Sequence, residues 1–258
     1  MKKVALITGA SGGIGKELAL IHAEKGGDLV LIARSSDKLS ELKSEIEEKY
    51  RREVMVIVKD LTQPTSAKEI YDEIQKAGVY VEFLINNAGF GGRGKFHERD
   101  WNLDLAMINL NVVALTALTR LFLPEMVKRN SGKILNVSST ASLVPGPLQA
   151  VYYATKAYVT SFSNALNEEL HDTNISVTAL LPGATDTGFA KTSGMDKTSL
   201  FSKTANARSV AMSGYDGMMK GKLNVMAGLS AMSRLMMASI PLTPKKMVLA
   251  QIRKMQEV

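Results

Sequence analysis

The feature that most constrains this chain stands at its start, where Val4-Ala5-Leu6-Ile7 runs into Thr8-Gly9-Ala10-Ser11-Gly12-Gly13-Ile14-Gly15. The aliphatic run reads as a strand. The residues after it, Lys16 to Lys25, place Leu18, Ala19, Ile21 and His22 at helical spacing. A glycine-rich turn between a strand and a helix admits positive φ and lets backbone N–H groups approach an anion at the helix N-terminus. That context, rather than the glycines alone, marks a dinucleotide site, with Gly9, Ser11, Gly13, Ile14 and Gly15 as its cradle.

The same alternation continues along the chain. Strand patterns at Asp28–Ala33 and Val54–Val58 are each followed by helical patterns, at Asp37–Tyr50 and Ser66–Ala77. Three such units in succession imply a parallel sheet. Further strands are expected at Glu82–Ile85, Lys133–Val137 and Ile175–Leu181, with helices at Asp104–Arg129 and Val151–His171. The expected architecture is α/β: a single doubly wound Rossmann-type domain spanning 1–258, with a parallel sheet of about seven strands and helices on both faces. After Pro182 the pattern loosens. A substrate lid is expected at 185–206, where Gly188 and Gly194 accompany five threonines and three serines. A helical, methionine-rich tail is expected at 209–258, with helices at Ser209–Lys220 and Met226–Ser239.

Composition narrows the function classes. There are no cysteines, which removes disulfides, thiolate metal sites and a cysteine nucleophile. The formal charge is +7, but the basic residues are dispersed, with only short pairs such as Arg51-Arg52 and Lys245-Lys246, so nucleic acid is not an expected partner. The apolar run after Lys3 stops at Thr8-Gly9, too short for a signal peptide, and no uncharged stretch reaches membrane-spanning length. A soluble, cytoplasmic protein is expected.

The residue ending the second strand discriminates between nicotinamide cofactors, because an acid there would bind a ribose 2′-hydroxyl and repel a 2′-phosphate. Here Ala33 is followed by Arg34 and Ser35, with Lys38 nearby. The forked guanidinium suits a phosphate, which favours NADP(H) over NAD(H). Tyr152 and Lys156 stand four apart near the start of a helix, on one face. A tyrosine is a poor acid or base at neutral pH unless a cation stabilises its phenolate, and Lys156 can supply that cation. Ser139, 13 residues earlier, ends the fifth strand, where open parallel sheets bind ligands.

Together these motifs resemble the short-chain dehydrogenase/reductase family over roughly the first 190 residues. The resemblance adds Asn87, Ala88 and Gly89 of the Asn-Asn-Ala-Gly segment as cofactor-lining and sheet-steadying residues. It adds Asp60 and Leu61 beside the adenine, and Pro182, Gly183 and Thr187 beside the carboxamide. By the same resemblance Ser139 polarises a substrate carbonyl and Tyr152 exchanges the proton. Lys156 holds the nicotinamide ribose while lowering the Tyr152 pKa, and Asn111 completes a proton relay. Asn109, Ser138 and Tyr153 are the less fitting neighbours. The implied function is hydride transfer between NADP(H) and a small-molecule carbonyl or secondary alcohol. A non-catalytic NADP(H)-binding sensor or assembly protein is the competing reading. A homodimer or homotetramer is implied through the long fourth and fifth helices.

Two features stay open at this level. Phe90-Gly91-Gly92-Arg93-Gly94 could shape one wall of the pocket or be a flexible loop, and Arg93 could meet an anionic substrate group. Ten of the 14 methionines lie at or after Met195, and Met226, Leu229, Met232, Met236 and Ile240 form an apolar stripe. That stripe could serve core, substrate pocket, another subunit or a membrane surface.

Overall fold

The computed structural model describes residues 3–240 and 243–257, apart from the side chains of residues 231, 236, 238 and 239. Met236 of the methionine stripe therefore lies outside the described side chains.

The first half alternates strictly: β1 (Val4–Thr8), α1 (Gly13–Glu24), β2 (Leu29–Ala33), α2 (Ser36–Tyr50), β3 (Val54–Val58), α3 (Ser66–Lys76) and β4 (Val81–Asn86). Next come α4 (Trp101–Ile108), a π-helical turn (Asn109–Ala114) and α5 (Leu115–Arg129), which run on as one 29-residue rod. β5 (Gly132–Val137), α6 (Ala150–Glu169), β6 (Ile175–Pro182), the short α7 (Phe189–Ser193), α8 (Ala207–Met219), β7 (Asn224–Ala227), α9 (Ala231–Ser239) and α10 (Lys245–Gln256) complete the order.

All seven strands pair in parallel in the order β3-β2-β1-β4-β5-β6-β7. β1 and β2 are buried along their whole length, so they read as unbroken apolar runs. Alternate residues of β1 divide between two cores. Ala5 and Ile7 pack with α1, α2 and α8, and Val4 and Leu6 pack with α3, α5 and α6. The two cores are the two faces of one sheet. The order reverses between β1 and β4, and the strand ends diverge there to leave a crevice on the carboxyl side.

The expected strands and helices are present, with corrections at three places. The helix expected from Asp104 begins at Trp101, because Asp100 caps it by accepting a hydrogen bond from Asn102 N–H (2.8 Å). The helix expected over Met226–Ser239 is a strand and then a helix. Asn224–Ala227 pairs with the free edge of β6, Gly228 turns the chain at φ +70°, and α9 starts only at Ala231. The available sheet edge overrides a four-residue helical preference. The segment beyond Pro244 forms a further helix, α10.

The rod Trp101–Arg129 is long and apolar enough to cross a membrane by length and composition, which the sequence reading did not anticipate. In this domain it packs against α3, α6, β4 and β5, with Asp104 and Asn111 buried at 1% exposure.

Candidate active site

The crevice is a cleft of about 660 Å³ running from the β2 end of the sheet to α6 and the 185–206 segment. At its outer end lie Gly9, Ser11, Gly13 and Ile14 of the first turn, with Arg34, Ser35 and Lys38 after β2. Gly9 (φ +66°) and Gly13 (φ +54°) use conformations that a side chain rarely adopts. A Cβ on Gly13 would sit 2.9 Å from the Thr187 methyl, so the cradle has no room for one. Gly12 precedes α1 without a side-chain cap, which leaves first-turn N–H groups free for an anion. These features fit a pyrophosphate.

Gly15 does a different job from the one expected of it. It does not line the cleft; a Cβ there would lie 2.3 Å from the Gly9 carbonyl oxygen and 2.4 Å from Asn87 Nδ2. It permits α1 to press against the turn.

The middle of the cleft is fixed by the Asn-Asn-Ala-Gly segment. Asn87 Nδ2 donates to the carbonyls of Thr8 (2.9 Å) and Gly9 (3.2 Å), while Thr8 Oγ1 accepts from the N–H groups of Asn87 and Ala88, both at 3.0 Å. Asn86 Nδ2 donates to Asn136 Oδ1 and Thr119 Oγ1, tying β4 to β5 and α5. Asp60, Leu61, Asn87, Ala88 and Gly89 all line the wall, as do Pro182, Gly183 and Thr187 opposite. Asp60 Oδ1 accepts from both the N–H and the hydroxyl of Thr62, which orders the loop after β3.

At the inner end Ser139, Tyr152 and Lys156 come together. Ser139 caps a short 3₁₀ turn, accepting from Ala141 N–H (3.1 Å), and its hydroxyl also hydrogen-bonds Tyr152. Ser138 is turned away, donating to the Lys156 carbonyl (2.9 Å) and meeting Thr160 Oγ1 at 2.7 Å. Lys156 Nζ donates to the Val137 carbonyl (2.8 Å) and stands 5.9 Å from the Tyr152 ring centre.

Burial sets the electrostatics of the pair. Tyr152 is pushed well above the ordinary phenol range by burial, with the Ser139 hydrogen bond offsetting only part of it. Lys156 is itself drawn down to about 8 by burial. Removal from water is the largest influence on both groups.

Asn111 is buried behind the cleft wall rather than in it. Its Oδ1 accepts from Phe90 N–H (3.2 Å), and its Nδ2 donates to the Phe90 carbonyl (3.0 Å) and to Thr155 Oγ1 (3.1 Å). Arg93 is engaged internally: its Nε donates to the carbonyl of Gln256 at 2.6 Å, anchoring the end of α10. It does not line the cleft.

Phe90 lines the inner end, in keeping with the pocket-wall reading of its segment, while sequence reasoning did not name Phe189, Met195, Leu200 and Phe201 beside it. Phe189 lies 5.3 Å from Tyr152 and 6.2 Å from Phe201, centre to centre. Gln149, the residue immediately before α6, also lines the cleft. The segment 185–206 is ordered by α7 and by the Thr185–Ala205 bridge, and it supplies Thr187, Phe189, Met195 and Phe201 to the wall.

Comparison with known proteins agrees with this geometry. Residues 3–198 match the family model for short chain dehydrogenase. The very-long-chain 3-oxoacyl-CoA reductase of Macaca fascicularis is 39% identical over 197 residues, which cover 72% of this chain and 61% of that protein. The short-chain dehydrogenase from Sphingobium yanoikuyae in complex with NADPH superposes with a TM-score of 0.83 at 29% identity, covering 99% of this chain and 98% of that one. The bulky-bulky ketone specific alcohol dehydrogenase from Comamonas testosteroni gives 0.80 at 27% identity, covering 99% and 97%. With a nucleotide-sized cleft at the strand reversal and the Ser139, Tyr152 and Lys156 cluster at its inner end, this chain belongs to the short-chain dehydrogenase family.

Proposed function

We propose that the chain is an NADP(H)-dependent oxidoreductase that reduces the ketone of a lipophilic substrate to a secondary alcohol. The observation that carries this reading is the convergence of Ser139, Tyr152 and Lys156 on the inner end of the cleft, next to an apolar wall. Gly9, Ser11, Gly13, Ile14, Asn87, Ala88 and Gly89 would hold the dinucleotide, with Asp60 and Leu61 toward its adenine and Pro182, Gly183 and Thr187 toward its carboxamide. Held there, the nicotinamide would supply the hydride for the carbonyl carbon. Ser139 hydrogen-bonds the carbonyl oxygen, and Tyr152 delivers its phenolic proton to that oxygen as the alcohol forms. Because burial keeps Tyr152 protonated, it enters the cycle as the acid. Lys156, cationic at neutral pH with a pKa of about 8, balances the phenolate that remains and orients the ribose. Asn111 would serve the relay that returns the proton.

The preference for NADP(H) rests on Arg34, Ser35 and Lys38 facing the cleft where an acid would select NAD(H). The NADPH bound to the Sphingobium yanoikuyae protein is in keeping with it. The long-chain ketone class rests on the apolar wall and on the relatives named 3-oxoacyl-CoA reductases. A homodimer or homotetramer formed through α4, α5 and α6 is supported by their outward apolar side chains, including Leu105, Val113 and Tyr158. A cytoplasmic site of action completes the proposal, on the composition of this cysteine-free chain.

The test is Tyr152→Phe, assayed by NADPH consumption on 3-oxoacyl thioesters and bulky ketones. Loss of turnover by about a thousandfold or more is expected, with NADPH binding retained by fluorescence titration. A variant as active as the parent would overturn the assignment of the acid.

A further inference from the structure

The formal charge of +7 is unevenly distributed along the chain. Residues 217–256 contain seven Lys and Arg and no Asp or Glu, while the remaining residues hold 25 of each sign. The whole net charge therefore lies on the C-terminal segment. Five of the seven basic residues, Arg234, Lys245, Lys246, Arg253 and Lys254, fall on α9 and α10 with exposed side chains; Arg253 is paired with Glu257 (2.8 Å), just past the segment, and the other four carry the positive charge of the face.

The same two helices expose large apolar side chains. Met232 is 74% exposed and Leu235 68%, three residues apart on α9 and so neighbours on one surface. Met247, on the first turn of α10, is 64% exposed. The helices are joined by residues 240–244, and Ile240, Val248 and Ile252 pack together into the small core beneath Tyr152 and Tyr153. Ile240, Val248 and Ile252 thus tie the pair to the domain, while Met232, Leu235 and Met247 stand exposed on the same two helices as the five basic residues.

We propose that the α9–α10 face docks on the surface of an anionic phospholipid bilayer. Flexible methionine and leucine side chains enter the acyl boundary, and the lysines and arginines meet the headgroup phosphates. Charge complementarity selects this occupant: an acid-free segment that carries the net charge is matched by an anionic plane, and an apolar core interface would not need the charge. The face is also coupled to the cleft. Ser199 Oγ donates to the Met255 carbonyl (3.3 Å), so α10 touches the segment that carries Leu200 and Phe201 into the apolar wall. Docking by this face brings the apolar end of the cleft toward the phase in which a long-chain substrate dissolves.

The experiment is co-sedimentation of the full chain with vesicles of 30% phosphatidylglycerol in phosphatidylcholine, and with phosphatidylcholine alone, at low and high salt. Binding to the anionic vesicles is expected, falling with salt and weak on the zwitterionic ones. Each basic side chain near such a surface is worth roughly fivefold in partition. Arg234→Gln, Lys245→Gln and Lys246→Gln together should lower it by about a hundredfold. Met232→Ser with Leu235→Ser should release the protein with NADPH turnover on a small soluble ketone unchanged, which also shows that the variant is folded. Equal binding to both vesicle types, or variants that bind as the parent does, would overturn the proposal. Overturning results also include retention on an immobilised acidic protein without vesicle binding, and a mass change in light scattering for Met232→Ser with Leu235→Ser. The first would assign the face to an acidic partner and the second to another copy of this chain. Vesicle binding needs no turnover, so its failure and the failure of the reductase assignment are separable.

Discussion

Lys156 should cost this protein stability, and replacing it with methionine should reveal how much. The side chain is 5% exposed, and burial draws its pKa from the ordinary 10.5 to about 8. At about 1.4 kcal/mol per tenfold, holding the ammonium charged in that environment costs about 3 kcal/mol at pH 7. Methionine has nearly the same length and no charge, but it leaves the Val137 carbonyl without its 2.8 Å donor, a loss of about 1 to 2 kcal/mol. The balance favours Lys156→Met by about 1 to 2 kcal/mol at pH 7, which is about 3–6 °C in Tm for a chain of this size. The pH dependence identifies the cause. Below about 8 the lysine is protonated in both folded and unfolded chains, and the folded state bears the full penalty. Between about 8 and 10.5 the unfolded chain binds the proton and the folded one does not, so parental stability rises with pH. The advantage of the variant should therefore shrink above pH 8 and vanish near pH 9.5. Calorimetry of both proteins from pH 6.5 to 9.5 measures this, and the buried tyrosines cancel in the difference. A methionine variant less stable than the parent at pH 7, or a difference independent of pH, would refute the reasoning. Turnover should be lost in the same variant, which separates the lysine's catalytic value from its structural cost.

Arg34→Asp should weaken NADPH by about a hundredfold in KM while improving use of NADH, because a bidentate phosphate partner becomes a repelling charge. Steady-state kinetics with both cofactors checks it, and a retained preference for NADPH would sink the 2′-phosphate argument. His22 lies 2% exposed between Tyr215 Oη (3.0 Å) and the Lys3 carbonyl (2.7 Å), and burial holds its pKa below 6.5. As pH falls through 6.5 the unfolded chain takes up the proton first, so urea unfolding should show stability falling in acid, and His22→Leu should flatten that slope while costing about 2–4 kcal/mol at pH 8.

What was legible in the sequence was local or repeated. β1 and β2 are buried on both faces, so their apolar runs could not be mistaken. The Gly9–Gly15 turn was identified by its flanks, and the Tyr152–Lys156 pair by a spacing that a helix converts into one face. β7 was not legible. Its residues alternate between exposed and part-buried until Ala227, and it exists because β6 offers an edge 40 residues earlier. The apolar inner wall was hidden for a similar reason: Phe189, Met195 and Phe201 acquire meaning only when the chain folds back over Tyr152. Spacing could place a lysine near a tyrosine, but not say that both would be buried.

The rod of α4 and α5 shows how a buried polar side chain is accommodated within one element. The rod packs one face into the domain, and Asn111 lies on it at 1% exposure. A buried carboxamide is costly unless its donors and acceptor are met. The π-helical turn over Asn109–Ala114 widens the helix there, changing the angle at which its side chains leave. Asn111 then grips both the N–H and the carbonyl of Phe90, and its remaining donor reaches Thr155 on α6. The grip fixes the Gly89–Phe90 wall. A Cβ on Gly89 would lie 3.0 Å from Asn111 Oδ1 and 3.3 Å from Lys156 Nζ, so amide, backbone and ammonium are already at closest approach. The irregular turn in the helix thus lets one asparagine be satisfied in the core and still set the distance between the Asn-Asn-Ala-Gly wall and Lys156.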